Sequence, residues 1–162
     1  HAHSPFSNQL KYGNTTIQDE NSLVLTGNNW TKFEVDFEVT SETVLELELY
    51  IEGWPEIVGV GFETDNGVSR DRVARFFGTQ DWGVNATEYY DKSNPTISFP
   101  IGEYVQGQIK YLVLTLDNDD VRKSKNKDKA TFKNILLRQH GVDEDPPLSE
   151  LENSKVEIRL IR

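Results

Sequence analysis

Strict alternation of apolar and acidic residues constrains this chain most. In Phe33-Glu34-Val35-Asp36-Phe37-Glu38-Val39 every odd position is apolar and every even one acidic. Leu45-Glu46-Leu47-Glu48-Leu49-Tyr50-Ile51 repeats the scheme. Successive side chains of a strand point to opposite faces, so each segment buries one face and wets the other. That is the pattern of antiparallel sheets. It predicts Phe33, Val35, Phe37, Leu45, Leu47 and Leu49 inside, and Glu34, Glu46 and Glu48 outside. The short polar Thr40-Ser41-Glu42-Thr43 between them reads as a hairpin connection.

Further strands are expected at 57–62, 75–77, 96–99, 111–116, 131–137 and 156–160, with weaker candidates at 15–17 and 23–25. Val60, Leu112, Leu114 and Leu116 join the expected core. No segment carries apolar residues at helical spacing, although 148–152 has room for one helical turn. Many short strands between Gly, Asn, Asp and Pro turns predict an all-β domain, an antiparallel β-sandwich of jelly-roll-like form. One domain is expected over 1–162. Residues 1–10 read as flexible or as a tag remnant, and 139–154 as a long loop.

Composition excludes several functions. Without cysteine there is no disulfide framework, thiolate metal site or Cys nucleophile. The net charge of -10 repels a polyanion such as DNA over most of the surface. No apolar run is long enough for a membrane-spanning helix, so no membrane insertion is expected. A chain that lacks Met and begins at His1 reads as a piece of a larger secreted or cell-surface protein.

Two strand ends carry hard oxygen ligands: Glu63-Thr64-Asp65-Asn66-Gly67 and Asp117-Asn118-Asp119-Asp120. Calcium takes six to eight oxygens, which makes Glu63, Asp65, Asp117 and Asp119 its candidate ligands. Ordinary turn chemistry explains the same residues.

Aromatic residues in loops form the second signal. Trp54 lies in Glu52-Gly53-Trp54-Pro55, Trp82 in Gln80-Asp81-Trp82-Gly83, and Tyr89 and Tyr90 follow. Sugar rings stack their C–H faces on aromatic faces and offer hydroxyls to polar side chains. The expected platform is Trp82 with Tyr89, Tyr90 and Trp54, and Asp65, Asn66, Gln80 and Asp81 as hydrogen-bonding partners. The competing reading has these rings cap the core. Trp30, at the head of an alternating strand, belongs to the core.

The basic run 122–129 offers point charges for a sulfate or uronate, or is simply a solvated loop. His1-Ala2-His3 has the nitrogens for a square-planar copper or nickel site, and His1 those of a histidine brace. A brace needs a second histidine, from His3 or His140; a tag remnant explains the same residues. Signatures of catalysis are poor: no Gly-x-Ser-x-Gly, no phosphate-binding glycine loop, and acidic pairs that arise readily among 27 acidic residues.

The stretches Asn29-Trp30-Thr31-Lys32-Phe33, Gly59-Val60-Gly61-Phe62-Glu63-Thr64-Asp65-Asn66, Phe77-Gly78-Thr79-Gln80-Asp81-Trp82-Gly83 and Tyr111-Leu112-Val113-Leu114-Thr115-Leu116-Asp117-Asn118-Asp119 stand in this order. With them, the segment 22–137 resembles the non-catalytic, carbohydrate-binding-module-like β-sandwich domains appended to polysaccharide-degrading enzymes and surface proteins of marine bacteria. The tail after Gln139 departs from that pattern. The resemblance implies a polysaccharide or oligosaccharide ligand and no enzymatic activity. Two rivals remain at this level: an adhesive or structural module of a surface protein, and a small copper-dependent or hydrolytic enzyme acting on polysaccharide.

Overall fold

A computed structural model describes residues 1–9, 11–118, 127–139 and 155–160. Among them are the strands β1 (His3–Pro5), β2 (Lys11–Asp19), β3 (Ser22–Val39), β4 (Val44–Glu52), β5 (Ile57–Glu63), β6 (Val73–Phe77), β7 (Val84–Asn85), β8 (Thr96–Phe99), β9 (Gly107–Asp117), β10 (Lys129–Arg138) and β11 (Lys155–Glu157). The described residues include no α-helix, only single 3-10 turns. Among the described residues no helix is long and apolar enough to cross a membrane.

All eleven strands belong to one sheet, ordered β7-β6-β5-β9-β3-β10-β4-β8, with β1 and β2 on β3 and β11 on β10. The sheet is mixed where an antiparallel one is expected, because β6 and β7 pair in parallel. The connection between them makes a loop at 78–83 and returns in the direction it left. Buried Arg75 holds that loop: its Nε donates to the Trp82 carbonyl at 2.9 Å and its Nη1 to the Gly78 carbonyl at 3.3 Å.

The sheet curls into a half-barrel. Phe76 on β6, near one end of the path, meets Phe99 on β8 at the other end, their rings 5.5 Å apart and edge to face. The core lies inside the curl, and every residue the alternation places inside is buried there. Glu34 is exposed, and Glu46 and Glu48 are half-exposed.

β3 makes the curl possible. Its first half pairs with β2 and β10, its second half with β1 and β9. The sequence reads here as a weak strand at 23–25 and a separate alternating strand headed by Trp30, but one strand runs through. The amides of Asn28 and Asn29 are buried and satisfied from other segments. Asn28 Nδ2 donates to the Gln9 carbonyl and Asn29 Nδ2 to Thr15 Oγ1, both at 2.8 Å. Polar residues that make a turn in isolation are tolerated mid-strand because tertiary partners complete their hydrogen bonds.

The hairpin expected at Thr40–Thr43 is not one. β10 lies between β3 and β4, which do not pair. A tight turn does form, with Thr43 N–H donating to the Thr40 carbonyl at 3.1 Å. Gln139 anchors it, taking hydrogen bonds from the hydroxyls of Thr40 and Thr43.

A second apolar cluster covers the outside of the curl: Phe6, Trp30, Ile57, Val73, Tyr111 and Val113, with Trp82 packed against it. The start of the chain, expected to be flexible or a tag remnant, contributes β1 and the fully buried Phe6.

Candidate functional site

The loop joining β4 to β5 presents Trp54 with 78 % of its surface exposed. Gly53 allows this, at a φ of +87° that disfavours any side chain, and a Cβ there would lie 2.2 Å from Asp128 Oδ1. That oxygen accepts the Trp54 backbone N–H at 3.0 Å. Asp128 is itself buried, and its second oxygen accepts from Asn118 Nδ2. The Trp54 backbone is thus tied to the floor while its ring stays in water.

The Trp54 ring leans on Phe77, with centroids 6.2 Å apart and planes at 35°. Phe77 meets Tyr90 edge to face at 5.8 Å. Tyr90 is half-buried, and burial pushes its hydroxyl pKa up. Two cavities share these rings. One, of about 460 Å³, adds Thr79, Thr87 and Asp91; the other, of about 530 Å³, adds Ile51 and Glu52; Lys92 borders both. Together they form a groove with an aromatic floor and a polar rim, the general form of a ligand site.

A larger cavity, of about 640 Å³, lies over the outward faces of β3 and β9 beside Glu34, Asp36 and Lys110. No Trp, Tyr or Phe lines it.

Of the four expected platform rings, the structure brings Trp54 and Tyr90 together and sets the other two apart. Trp82 packs edge to face on Trp30 at 5.6 Å, outside the curl. Tyr89 turns towards the main core and meets Phe99 at 4.9 Å. Gln80 and Asp81 share the loop at 78–83 with Trp82. The Gln80 N–H donates to the Glu56 carbonyl, and the exposed Asp81 carboxylate lies 3.6 Å from Arg75 Nη2. Asp65 and Asn66 follow the far end of β5, which starts near Trp54 at Ile57. Asp65 Oδ1 accepts the Gly67 N–H at 2.8 Å. Asn66 Oδ1 accepts from the Ser7 N–H at 2.9 Å and Lys32 Nζ at 2.7 Å, tying down the start of the chain.

The expected calcium ligands are also divided. β5 and β9 run antiparallel, with Ile57 opposite Asp117 and Glu63 opposite Tyr111. Glu63 and Asp117 therefore stand at opposite ends of this pair, about 20 Å apart at the rise of a strand. One ion cannot bind both. Asp117 Oδ2 accepts the indole N–H of Trp30 at 2.8 Å. Glu63 is fully buried; its Oε2 accepts the Ser69 N–H at 2.9 Å and its Oε1 has no hydrogen-bond partner. Burial raises its pKa to about 7, against the opposing effects of Ser69 and of the neighbouring Arg72 guanidinium. A desolvated carboxyl beside a guanidinium is a poor cation ligand. Among the described residues no three His, Asp or Glu side chains are grouped to hold a metal. Asp119, His140 and most of the basic run, 122–126, lie outside the described residues.

Sequence reasoning missed Phe77, Thr79, Thr87 and Lys92. Alternation gave no signal for Phe77: the β5–β6 ladder shifts register between Val58 and Gly59, opposite Phe77 and Arg75, and Phe77 packs half-buried against the main core beside Phe76. Comparison with family models, with curated proteins and with solved structures finds no match.

Proposed function

We propose that this chain is a non-catalytic carbohydrate-binding module that brings a larger secreted or cell-surface protein to a polysaccharide, with the Trp54–Phe77–Tyr90 groove as its sugar platform. The observation that carries this reading is Trp54, a large ring kept 78 % exposed by a glycine at positive φ and a buried carboxylate. A soluble domain gains nothing in stability from such an arrangement, whereas a ligand with apolar ring faces gains a stacking partner. Thr79, Thr87 and Asp91 stand where sugar hydroxyls would need partners. The curled sheet would serve as the jelly-roll-like sandwich of such modules does, a rigid body that presents loops.

Calcium enters the same proposal at the Asp117 end, which adjoins the Trp54 loop: the Glu56 N–H donates to the Asp117 carbonyl at 2.8 Å. There an ion would stiffen the platform rather than take part in any reaction.

The test is affinity electrophoresis against a panel of polysaccharides, with the parent, Trp54→Ala and Trp82→Ala. Each sugar–aromatic stack contributes on the order of 1 kcal/mol, about fivefold in affinity. Trp54→Ala should release the retarding polysaccharide and still melt cooperatively, while Trp82→Ala should stay retarded. Retardation of Trp54→Ala equal to the parent's would remove this groove as the platform.

A further inference from the structure

Building on the carbohydrate reading, we propose that the ligand of the Trp54 groove is an acidic glycan, whose anionic group pairs with the Lys92 ammonium while its sugar rings lie on both sides of Trp54. The charges around the groove carry the argument. Of its two lining carboxylates, Glu52 has a cationic partner, whereas Asp91 has only neutral ones and keeps its negative charge. Glu52 lies 3.6 Å from Lys129 Nζ. Asp91 Oδ1 accepts both the N–H and the hydroxyl of Ser93, at 2.9 and 2.8 Å. Beneath the loop, Asp128 holds Trp54 and Asn118. Lys92 differs from all of these. It borders both cavities, and its ammonium makes no hydrogen bond or ion pair with the described residues.

The backbone of Lys92 is also set, while its side chain is exposed. It lies in the turn that the Asn94 N–H closes on the Asp91 carbonyl at 3.0 Å, and the Asp91 side chain braces the same turn. An unpaired cation at the shared edge of two aromatic-floored cavities gives an anionic substituent a counter-charge to meet there. The net charge of -10 does not cancel this, because charges beyond about 8 Å are largely screened at physiological salt. Lysine is a compact point charge without the planar fork of arginine, so a uronate carboxylate and a sulfate ester satisfy it alike.

The two cavities meet along Trp54, Phe77 and Tyr90. A chain passing over Trp54 would place a sugar in each, with the anionic substituent near their shared edge.

The experiment is calorimetric titration of the full chain with a galacturonate hexasaccharide, a sulfated galactan oligosaccharide of equal length and cellohexaose, each at low salt and at about 1 M NaCl, where the Debye length shrinks to about 3 Å. An acidic glycan should bind more tightly than cellohexaose at low salt and lose that advantage at high salt. Lys92→Gln should weaken acidic binding about three- to fivefold at low salt, as befits a solvent-exposed ion pair, and flatten the salt dependence. Preference for the galacturonate identifies a carboxylate as the anion; preference for the galactan identifies a sulfate ester. Equal binding of cellohexaose, or a Lys92→Gln protein with the parent's affinity and salt slope, overturns the inference, while loss of binding in Trp54→Ala would still uphold the carbohydrate reading. Absence of binding to all of these glycans overturns both.

Discussion

Asp128 accepts the backbone N–H of Trp54 at 3.0 Å across 74 residues of sequence. The residue just before β10 thereby determines where the exposed Trp54 ring stands. Asp128→Ala should cost about 1–3 kcal/mol, the range for a buried, charge-assisted hydrogen bond that leaves its partners unmade. It should also weaken polysaccharide retardation although residue 128 does not line the groove. Urea melts and affinity electrophoresis of the same preparation would check both effects. Retardation unchanged beside a lowered melting point would mean that the loop holds its shape without this anchor.

Arg75 plays the corresponding part for the loop at 78–83, bonding the carbonyls of Trp82 and Gly78. Arg75→Ala should destabilise the protein by about 2–3 kcal/mol, because two carbonyls lose a cationic donor. Trp82 should then loosen from Trp30 and redden the tryptophan emission. Stability within about 0.5 kcal/mol of the parent would show that water replaces the guanidinium at little cost.

Glu63 makes stability depend on pH. Its pKa in the folded protein is raised to about 7 from an ordinary 4.5. Between those values the unfolded chain has released a proton that the folded protein still holds, so stability falls as pH rises. The contribution is fully present below pH 4.5, is lost progressively up to about pH 7, and is level above it. Each pKa unit corresponds to about 1.4 kcal/mol, so the whole effect is on the order of 3 kcal/mol. Glu63→Gln, which mimics the protonated form, should flatten this part of the profile. Thermal melts of both proteins from pH 4 to 8 would decide; parallel curves would show that Glu63 titrates normally.

Calcium at the Asp117 end should raise the melting temperature, since a ligand of the native state alone stabilises it. Asp117→Asn should abolish that rise, while Asp65→Asn, at the other end of β5, should leave it intact. A melting curve indifferent to calcium and to chelator would leave the acidic clusters as turns.

Much of the fold was legible because the alternation of Phe33–Val39 and Leu45–Ile51 has period two, and burial of one face follows from it. The core positions and most strand locations are therefore local information. The continuity of β3 was not legible, because Gly27-Asn28-Asn29 carries turn chemistry that only Gln9 and Thr15 neutralise. Nor was the pairing of β4, since Thr40–Thr43 encodes a reversal of the chain and not the neighbour met afterwards. The site divides in the same way. That loop rings and acids were present was plain, but their grouping depended on register.

By itself, then, the sequence determined an all-β chain, the faces of its main strands and a set of exposed aromatic candidates, because these follow from side-chain alternation and turn residues. The tertiary structure alone decided that Trp54 joins Phe77 and Tyr90, that Trp82 covers Trp30, and that Glu63 and Asp117 stand at opposite strand ends. Strand order and register depend on contacts between residues far apart in the chain, and no local pattern encodes which distant partner a strand will meet.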